Sequence, residues 1–425
     1  MKIARVRVTP VAVCNPPLLN SGGLHSPYTV RSIIEVEADN GLVGLGETFA
    51  DRMVLDRLNS VQESLVGLSP FDVNALRRIT QSGTPPSGAE AFRFMPGSWN
   101  GNPTDAKIFG AFEAAFLDLQ ARCLGIPLCE LLGGAVRQQV PFSAYLFFKY
   151  SAQYVRNVDP EYAEYDPWGE VLTVDQLVGE AQRMIDLYGF RSIKVKAGVL
   201  TPQEDVACIK ALRKRFPAHP IRLDTNAAWS QDTARRMAEL LDGDLEYYED
   251  PTPGLGGMAD LHLATGLPMA TNMVVTDFDE FRRNLTVNGV QVILGDHHYW
   301  GGLRATQQLA SMCEMFDIEL SMHSNCHLGI SLMTMTHVAA AIPNLTYACD
   351  THYPWFTEDL LQGGRVPIRD GSVAVRNLPG IGVDLDHKAL AEMHQRYLRC
   401  GLSGRDDAAQ MRKFKPDWER KKPRF

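Results

Sequence analysis

Lys194 and Lys196 end one strand-like segment of this 425-residue chain, IKVKAG, and Asp224 and Asn226 end the next, IRLDTN. Glu249 follows in LEYYEDP, Asn272 in PMATNMV and His323 in IELSMHS. The key residues recur at intervals of roughly 25, the length of one strand-loop-helix unit in a parallel barrel, whose catalytic residues come from the carboxyl ends of several strands. Two lysines, two acids, two amides and a histidine at such ends describe a hard-metal site with a base on either side.

Asp224, Glu249 and Asn272 close consecutive strands, and neighbouring strand ends in a barrel lie close together. Oxygen-only ligation by few protein groups suits Mg²⁺, which keeps positions open for water or a substrate oxygen. The competing reading is that acids at strand ends merely cap the following helices. Three in series, with Lys196 upstream and His323 downstream, favour the metal. Lys194 and Lys196 are one residue apart and so share a strand face. Two inward lysines are costly unless they face an anionic site, and each would raise the acidity of the other. Such a lysine can be neutral near physiological pH and serve as a general base. The other register would turn both outward.

Asp296 closes the strand before His323, and a carboxylate beside a histidine fixes its tautomer and raises its basicity. A His323–Asp296 dyad opposite Lys196 gives two bases on two faces of one carbon. His297, His298 and His327 invite a zinc reading, as do His323 and His327 at i, i+4. That spacing falls in a strand-end loop with no Glu after the first His, which argues against zinc hydrolysis. His352 ends the last strand in CDTHYPW. Arg405, in GRDD, is either a surface residue or a bidentate partner for a carboxylate.

The elements that must position these residues are legible in outline. Residues 1–135 read as α+β: strands over Ile3–Val13, Ser32–Asp39 and Leu42–Glu47, the last two joined by the turn Asn40-Gly41. A helix over Ile108–Leu124 follows, with apolar residues at i, i+3 and i+4. Two glycine-rich loops, about 20–28 and 81–107, are candidate lids, the first carrying His25. From Val140 strands and helices alternate, with strands ending near Tyr145, Lys196, Asn226, Glu249, Asn272, Asp296, His323 and His352. Eight is the number a closed (β/α)8-type barrel requires. The alternation assigns 136–365 to the barrel and leaves 366–425 as a mixed segment that would pack back on the first domain.

Composition narrows the class. A hydrophobic content of 45% and a charged content of 22% belong to a globular protein. A net charge of −8 with no basic run of five argues against a nucleic-acid surface. The start MKIARVRVTPVAV alternates like a strand and lacks the parts of a signal peptide, and no apolar run reaches the length of a membrane span. Eight scattered cysteines without a CxxC pair read as reduced thiols. A cytoplasmic enzyme acting on a small molecule is the expectation.

The motifs KVK, DTN, EDP, ATNM, HSN and DTH, in this order, resemble the enolase superfamily, and more narrowly its glucarate dehydratase subgroup. NSGGLHSPYTVR, FEAAFLDLQARCLG, AYLFF, SLMTMTHVAAA and GLSGRDDAAQM extend the likeness through most of the chain. Asn272, where most of the superfamily places an acid, is specific to the subgroup. The resemblance implies a modified (β/α)7β TIM-type barrel under an α+β capping domain completed by the C-terminal segment, and a homo-oligomer. It implies Mg²⁺ on Asp224, Glu249 and Asn272, with Lys196 and the His323–Asp296 dyad flanking the substrate and Lys194 near its carboxylate. Substrate contacts carry over to His25, Tyr145, Asn226, His352 and Arg405. The implied activity is dehydration of an acid sugar, D-glucarate or L-idarate by default, to a 2-keto-3-deoxy acid.

Three departures bear on substrate choice. Lys149 follows AYLFF where the family has a small or apolar residue. Cys326, Leu328 and Gly329 alter the loop after His323. Asp105 falls, in the loop before Glu113, where a substrate-touching threonine is expected. A relative that dehydrates another acid sugar, or only epimerises it, is therefore the nearest alternative. A non-catalytic binding protein on the same barrel is the other, and it has no need for two lysines on one strand face.

Overall fold

In a computed structural model of the chain, residues 1–81 and 103–425 are described. Most of the second expected lid, residues 82–102, lies outside them. The first unit is a three-stranded antiparallel sheet of β1 (Ile3–Cys14), β2 (Tyr28–Ala38) and β3 (Val43–Phe49), in that order, with a long helix, α1 (Pro103–Leu124), against β3. The helix lies very close to the strand. A Cβ at Gly44 would sit 2.1 Å from the Ala115 carbonyl oxygen and one at Gly46 2.5 Å from that of Ala111, so β3 must be bare where α1 crosses it. The helix begins at Pro103, five residues before the apolar periodicity starts. Proline at the first position and Asp105 in the first turn suit a helix N-terminus without adding to the apolar stripe.

The expected first lid is a short buried hairpin, Leu19–Asn20 against Gly23–Leu24. The tail packs over it: a Cβ at Gly23 would meet the Asp407 carbonyl oxygen at 2.2 Å, and Gly23 has φ +136°. Both the contact and the left-handed backbone require glycine there.

Seven parallel strands follow: β4 (Ala144–Phe147), β5 (Ile193–Lys196), β6 (Ile221–Asp224), β7 (Tyr247–Glu249), β8 (Met269–Thr271), β9 (Val292–Gly295) and β10 (Glu319–Met322). They pair in chain order as one sheet. The eighth expected strand is instead an irregular closing segment. It makes one parallel bridge to each rim, Phe142 with Cys349 and Leu320 with Leu345. Backbone bonds from Cys349 to Pro141 (2.8 Å) and from Asp350 to Met322 (2.9 Å) close the ring, giving a (β/α)7β barrel.

The units are joined by buried polar groups. Glu47 on β3 accepts from Arg31 Nε (2.8 Å) and from the backbone N–H groups of Leu328 and Ser331 (both 2.9 Å), at the start of α2 (Gly329–Ala341). A carboxylate at a helix N-terminus is favourable, and the buried Arg31 supplies its counter-charge. The helix α3 (His387–Cys400) lies along β1, with Arg396 donating to the Ala12 carbonyl at 3.1 Å and His394 Nδ1 2.7 Å from that of Pro10. No helix among the described residues is long and apolar enough to cross a membrane.

Candidate active site

Strand register builds the site. Phe147, Lys196, Asp224 and Glu249 are successive partners across β4 to β7, so they form one inward layer at the carboxyl ends. Tyr145, Lys194, Arg222 and Tyr247 form the layer beneath. Inward positions of such a barrel are ordinarily branched and apolar; here the lower layer is an ion network. Lys194, fully buried, lies 2.7 Å from Asp350 Oδ2, 2.6 Å from Glu249 Oε2 and 3.5 Å from Asp224 Oδ2. Arg222 meets Glu246 at 2.6 Å and Asp350 Oδ1 at 3.4 Å. Burial alone would push the Lys194 ammonium down, but Asp350, Glu249 and Asp224 outweigh it and hold it well above the usual lysine range.

This corrects the expectation for Lys194, whose ammonium is held charged rather than acidified. The two lysines share a strand face, and both lie near Asp224. Lys196 stands one layer higher, 2.7 Å from Asp224 Oδ2. Burial opposes ionisation of Asp224, yet Lys196 and then Lys194 hold its carboxyl well below the usual range. Tyr145 donates to the same Oδ2 at 3.2 Å. Glu249 is lifted well above the usual range, first by burial and then by Asp224 beside it.

Asn272 is the first residue past β8, and its amide donates to Glu249 Oε1 at 3.0 Å. Asp250 holds the start of that loop, accepting from Thr271 Oγ1 at 2.6 Å and from the Asn272 N–H at 3.3 Å. After Asp224 the chain turns through two non-glycine residues with positive φ, Asn226 (54°) and Ala227 (57°). Asp224 Oδ1 accepting from Asn226 N (2.9 Å) and the Asp250 carbonyl accepting from Ala227 N (2.7 Å) hold that strained turn.

Across the ring, His323 Nδ1 lies 3.6 Å from Asp296 Oδ2. The nearer partner of Asp296 is His298, whose Nδ1 (2.8 Å) and backbone N–H (2.9 Å) both meet Oδ1. Asp296 is thus the cap of a short turn and a neighbour of His323 at once. Burial pushes the His323 imidazolium down, with Asp296 opposing, so the ring favours its neutral form. Asp296, His297 and His298 present ligand atoms within 4.8 Å of one another, but the first and last are already bonded together. His327 is held by Ser324 (3.2 Å) and Thr351 (2.8 Å).

A cavity of about 350 Å³ opens over this layer, and Lys196, Asn226, Asn272, His323, His352 and Arg405 all line it. Arg405 reaches it from the far end of the chain, meeting Asp407 Oδ2 at 2.6 Å, Asn325 Oδ1 at 3.0 Å and His25 Nε2 at 2.7 Å. His25 is buried, and burial followed by the Arg405 charge lowers its pKa to about 3, so it accepts from Arg405 as a neutral ring. His25 stacks on His352 at 6.2 Å, and Phe147 packs edge-on against both.

Four expected substrate contacts are not among the described residues lining the cavity: Tyr145 lies in the layer beneath, His25 is buried against Arg405, and Lys149 and Asp105 lie elsewhere. The Lys149 ammonium is buried against Asp166 and the Gly169 carbonyl, in the segment that follows β4. The strand ends at Phe147, so alternation does not carry Lys149 to the cavity. Asp105 is buried in the first turn of α1 and is not among the described residues lining the cavity. Sequence reasoning missed Asp350, Tyr299, Asp407 and Arg420. Asp350 sits within the quoted motif CDTH and Asp407 within GRDD, so both were visible as acids beside chosen residues. Tyr299 and Arg420 carry no local signal.

Residues 4–133 match the mandelate racemase/muconate lactonizing enzyme N-terminal domain, and residues 176–389 match the enolase C-terminal domain-like family. A Streptomyces coelicolor protein named "probable glucarate dehydratase" is 45% identical over 424 residues, 98% of this chain and 97% of its own. An enolase from Pseudomonas fluorescens Pf0-1, crystallised with magnesium, potassium and tartrate, is 56% identical with a TM-score of 0.94, covering 100% of this chain and 99% of its own. One from Mycobacterium smegmatis, complexed with tartrate, is 48% identical with a TM-score of 0.92, covering 100% and 98%. The chain is an enzyme of the enolase superfamily, in the group related to glucarate dehydratase.

Proposed function

We propose that this enzyme is a Mg²⁺-dependent acid-sugar dehydratase, with D-glucarate and L-idarate as default substrates. The observation that carries the reading is that two bases from separate strands, Lys196 on β5 and His323 after β10, line one cavity, the first bonded to Asp224 and the second beside Asp296. Asp224, Glu249 and Asn272 would hold the metal: all three offer oxygen, Asp224 and Glu249 are paired neighbours at their strand ends, and Asn272 stands 3.0 Å from Glu249. A divalent cation there supplies charge stabilisation for the carboxylate whose α-proton is removed.

The chain's own residues do the rest. The neutral His323 ring removes the α-proton from one epimer, and Lys196, once its ammonium has given up a proton, removes it from the other. Tyr145 and Lys194 brace Asp224 and Glu249 from below. The C–H electron pair passes to the carboxylate as an enediolate, then forms the carbon–carbon double bond as the β C–O bond breaks. On the branch where His323 took the α-proton, its imidazolium returns that proton to the departing hydroxyl, which leaves as water, and the enol tautomerises to a 2-keto-3-deoxy acid. Relatives crystallised with tartrate, a hydroxylated dicarboxylate, support an acid-sugar substrate.

The test is a screen of purified protein with Mg²⁺ against a stereochemically complete set of mono- and diacid sugars, scoring 2-keto-3-deoxy product and exchange of the α-proton with D₂O. Glucarate and idarate turnover, one abolished by His323→Ala and the other by Lys196→Ala, is expected. Turnover of a different acid sugar keeps the mechanism and changes the substrate. Exchange without product makes it an epimerase, and neither signal with any acid sinks the reading.

A further inference from the structure

His352 lines the cavity with a ring that its neighbours fix in place. His25 stacks on it, and Tyr145 and Phe147 meet it edge-on, with ring centroids 5.0 and 4.9 Å away. Its two nitrogens differ. Nδ1 lies 3.4 Å from Cys326 Sγ, whereas Nε2 has no hydrogen-bond partner among the described residues. The histidine is 5% exposed, and Nε2 is the part of its polar edge left open to the cavity. Cys326 is anchored from the other side. Its backbone N–H donates to Asn325 Oδ1 at 2.9 Å, the oxygen that also takes Arg405 Nη1 at 3.0 Å. The side chain is buried, and the Thr29 hydroxyl bonds to its sulfur.

The proton positions follow from the chemistry of these groups. Burial raises the Cys326 thiol above its ordinary value. Burial, and after it the neighbouring His25, pushes the His352 imidazolium well below its own, so the thiol keeps its proton and the ring is neutral. A neutral imidazole has one N–H and one bare nitrogen. With Thr29 donating to the sulfur, the S–H is left for Nδ1, a better acceptor than a thiol sulfur. The nitrogen that accepts fixes the ring's own proton on the other, Nε2. His323 is the reverse case: the Asp296 carboxylate 3.6 Å from its Nδ1 favours the proton there and leaves Nε2 bare.

We propose that Cys326 is a positioning residue for His352: its thiol donates to Nδ1, keeps the ring's proton on Nε2, and so makes His352 a donor to a substrate oxygen instead of a third base in the cavity. This deepens the acid-sugar reading and rests on it for the oxygen that is met, a hydroxyl or a carboxylate of the substrate. A ring capped in this way has no lone pair on the cavity side, so it does not compete with His323 or Lys196 for the α-proton. Cys326 is one of the positions where the loop after His323 departs from the family pattern, so the cap belongs to this chain's own sequence.

The experiment reads the ring tautomer by long-range ¹H–¹⁵N NMR of ¹⁵N-histidine-labelled, full-length protein with Mg²⁺, in wild type, Cys326→Ala and Cys326→Ser. The His352 signal is assigned by its loss in His352→Gln. Wild type should carry the proton on Nε2, with Nδ1 shifted by an accepted hydrogen bond; Cys326→Ala should lose that shift and Cys326→Ser keep it. Calorimetric binding of tartrate is the second readout. Cys326→Ala should weaken it by about fivefold, the net worth of one neutral hydrogen bond, and Cys326→Ser should stay within about twofold of wild type. In the His352→Gln background, Cys326→Ala should have no further effect, because the thiol acts through that ring. A proton on Nδ1 in wild type, a His352 signal unchanged in Cys326→Ala, no tartrate binding by wild type, or a Cys326→Ala loss that persists in the His352→Gln background overturns the proposal. Neither readout requires turnover, so a protein silent in the acid-sugar screen that shows this pattern loses the dehydratase reading and keeps the role of Cys326.

Discussion

Replacing Lys194 by methionine removes a single buried charge and nearly conserves volume. In the wild type that ammonium lies 2.7 Å from Asp350 and 2.6 Å from Glu249, with no solvent exposure on any of the three. At an effective dielectric near 20, each contact is worth about 6 kcal/mol of gross attraction. Desolvation consumes most of it, and breaking such a buried pair by deleting one partner costs about 3–5 kcal/mol net. The loss must depend on pH. Without Lys194, burial lifts the folded pKa of Asp350, and lifts that of Glu249 further, above their unfolded values near ~4, while Lys196 still holds Asp224. A group raised in the folded state stabilises fully below its unfolded pKa and loses that contribution as pH rises through the folded value. The deficit of Lys194→Met should therefore be small at pH 5 and reach the full ~3–5 kcal/mol at pH 8. Equilibrium urea unfolding of metal-stripped protein at the two pH values measures it. A variant as stable as wild type at pH 8, or a deficit independent of pH, would refute the counter-ion argument.

Two further outcomes follow from single contacts. Glu113 is buried with Oε2 2.6 Å from the Leu303 N–H, and burial lifts its pKa to about 7. Its contribution is complete below the unfolded pKa and lost as pH rises through 7, so Glu113→Gln should flatten the fall in stability between pH 5 and 8 by on the order of 3 kcal/mol, read from urea midpoints; an unchanged slope would contradict it. Gly23→Ala drives a Cβ into the Asp407 carbonyl at 2.2 Å and strains the backbone at φ +136°. It should cost more than the ~1–3 kcal/mol of strain alone and weaken carboxylate binding by shifting Arg405; an unchanged melting temperature would show that the tail does not rest on the hairpin.

The strand-end residues were legible because a strand needs few residues and its alternation is strict. Once IKVKAG, IRLDTN and LEYYEDP are read as neighbours in a barrel, Lys196, Asp224 and Glu249 must converge at one height, and register does bring them into one layer. The same local logic gave His323 beside Asp296, but not that His298 lies nearer to that carboxylate at 2.8 Å. The irregular eighth segment was harder, since apolar alternation in LTYACDTH suits a strand as well as a bridge.

What sequence alone determined is therefore the order of chemically competent strand ends, the barrel they imply and the cap before it. The charges on those ends are a different matter, because electrostatics depends on distance in space. Whether Lys194 acidifies its neighbour or neutralises three acids turns on Asp350, 156 residues away. Whether Arg405 is a surface residue or a pocket residue turns on His25, 380 residues away. Lys149 obeys the parity of its strand only until the strand stops, after which Asp166 captures it. The Arg405–His25 pairing was decided by the packing of the chain's two ends over the barrel, Lys194–Asp350 by closure of the ring and Lys149–Asp166 by the segment after β4, arrangements to which no local spacing corresponds.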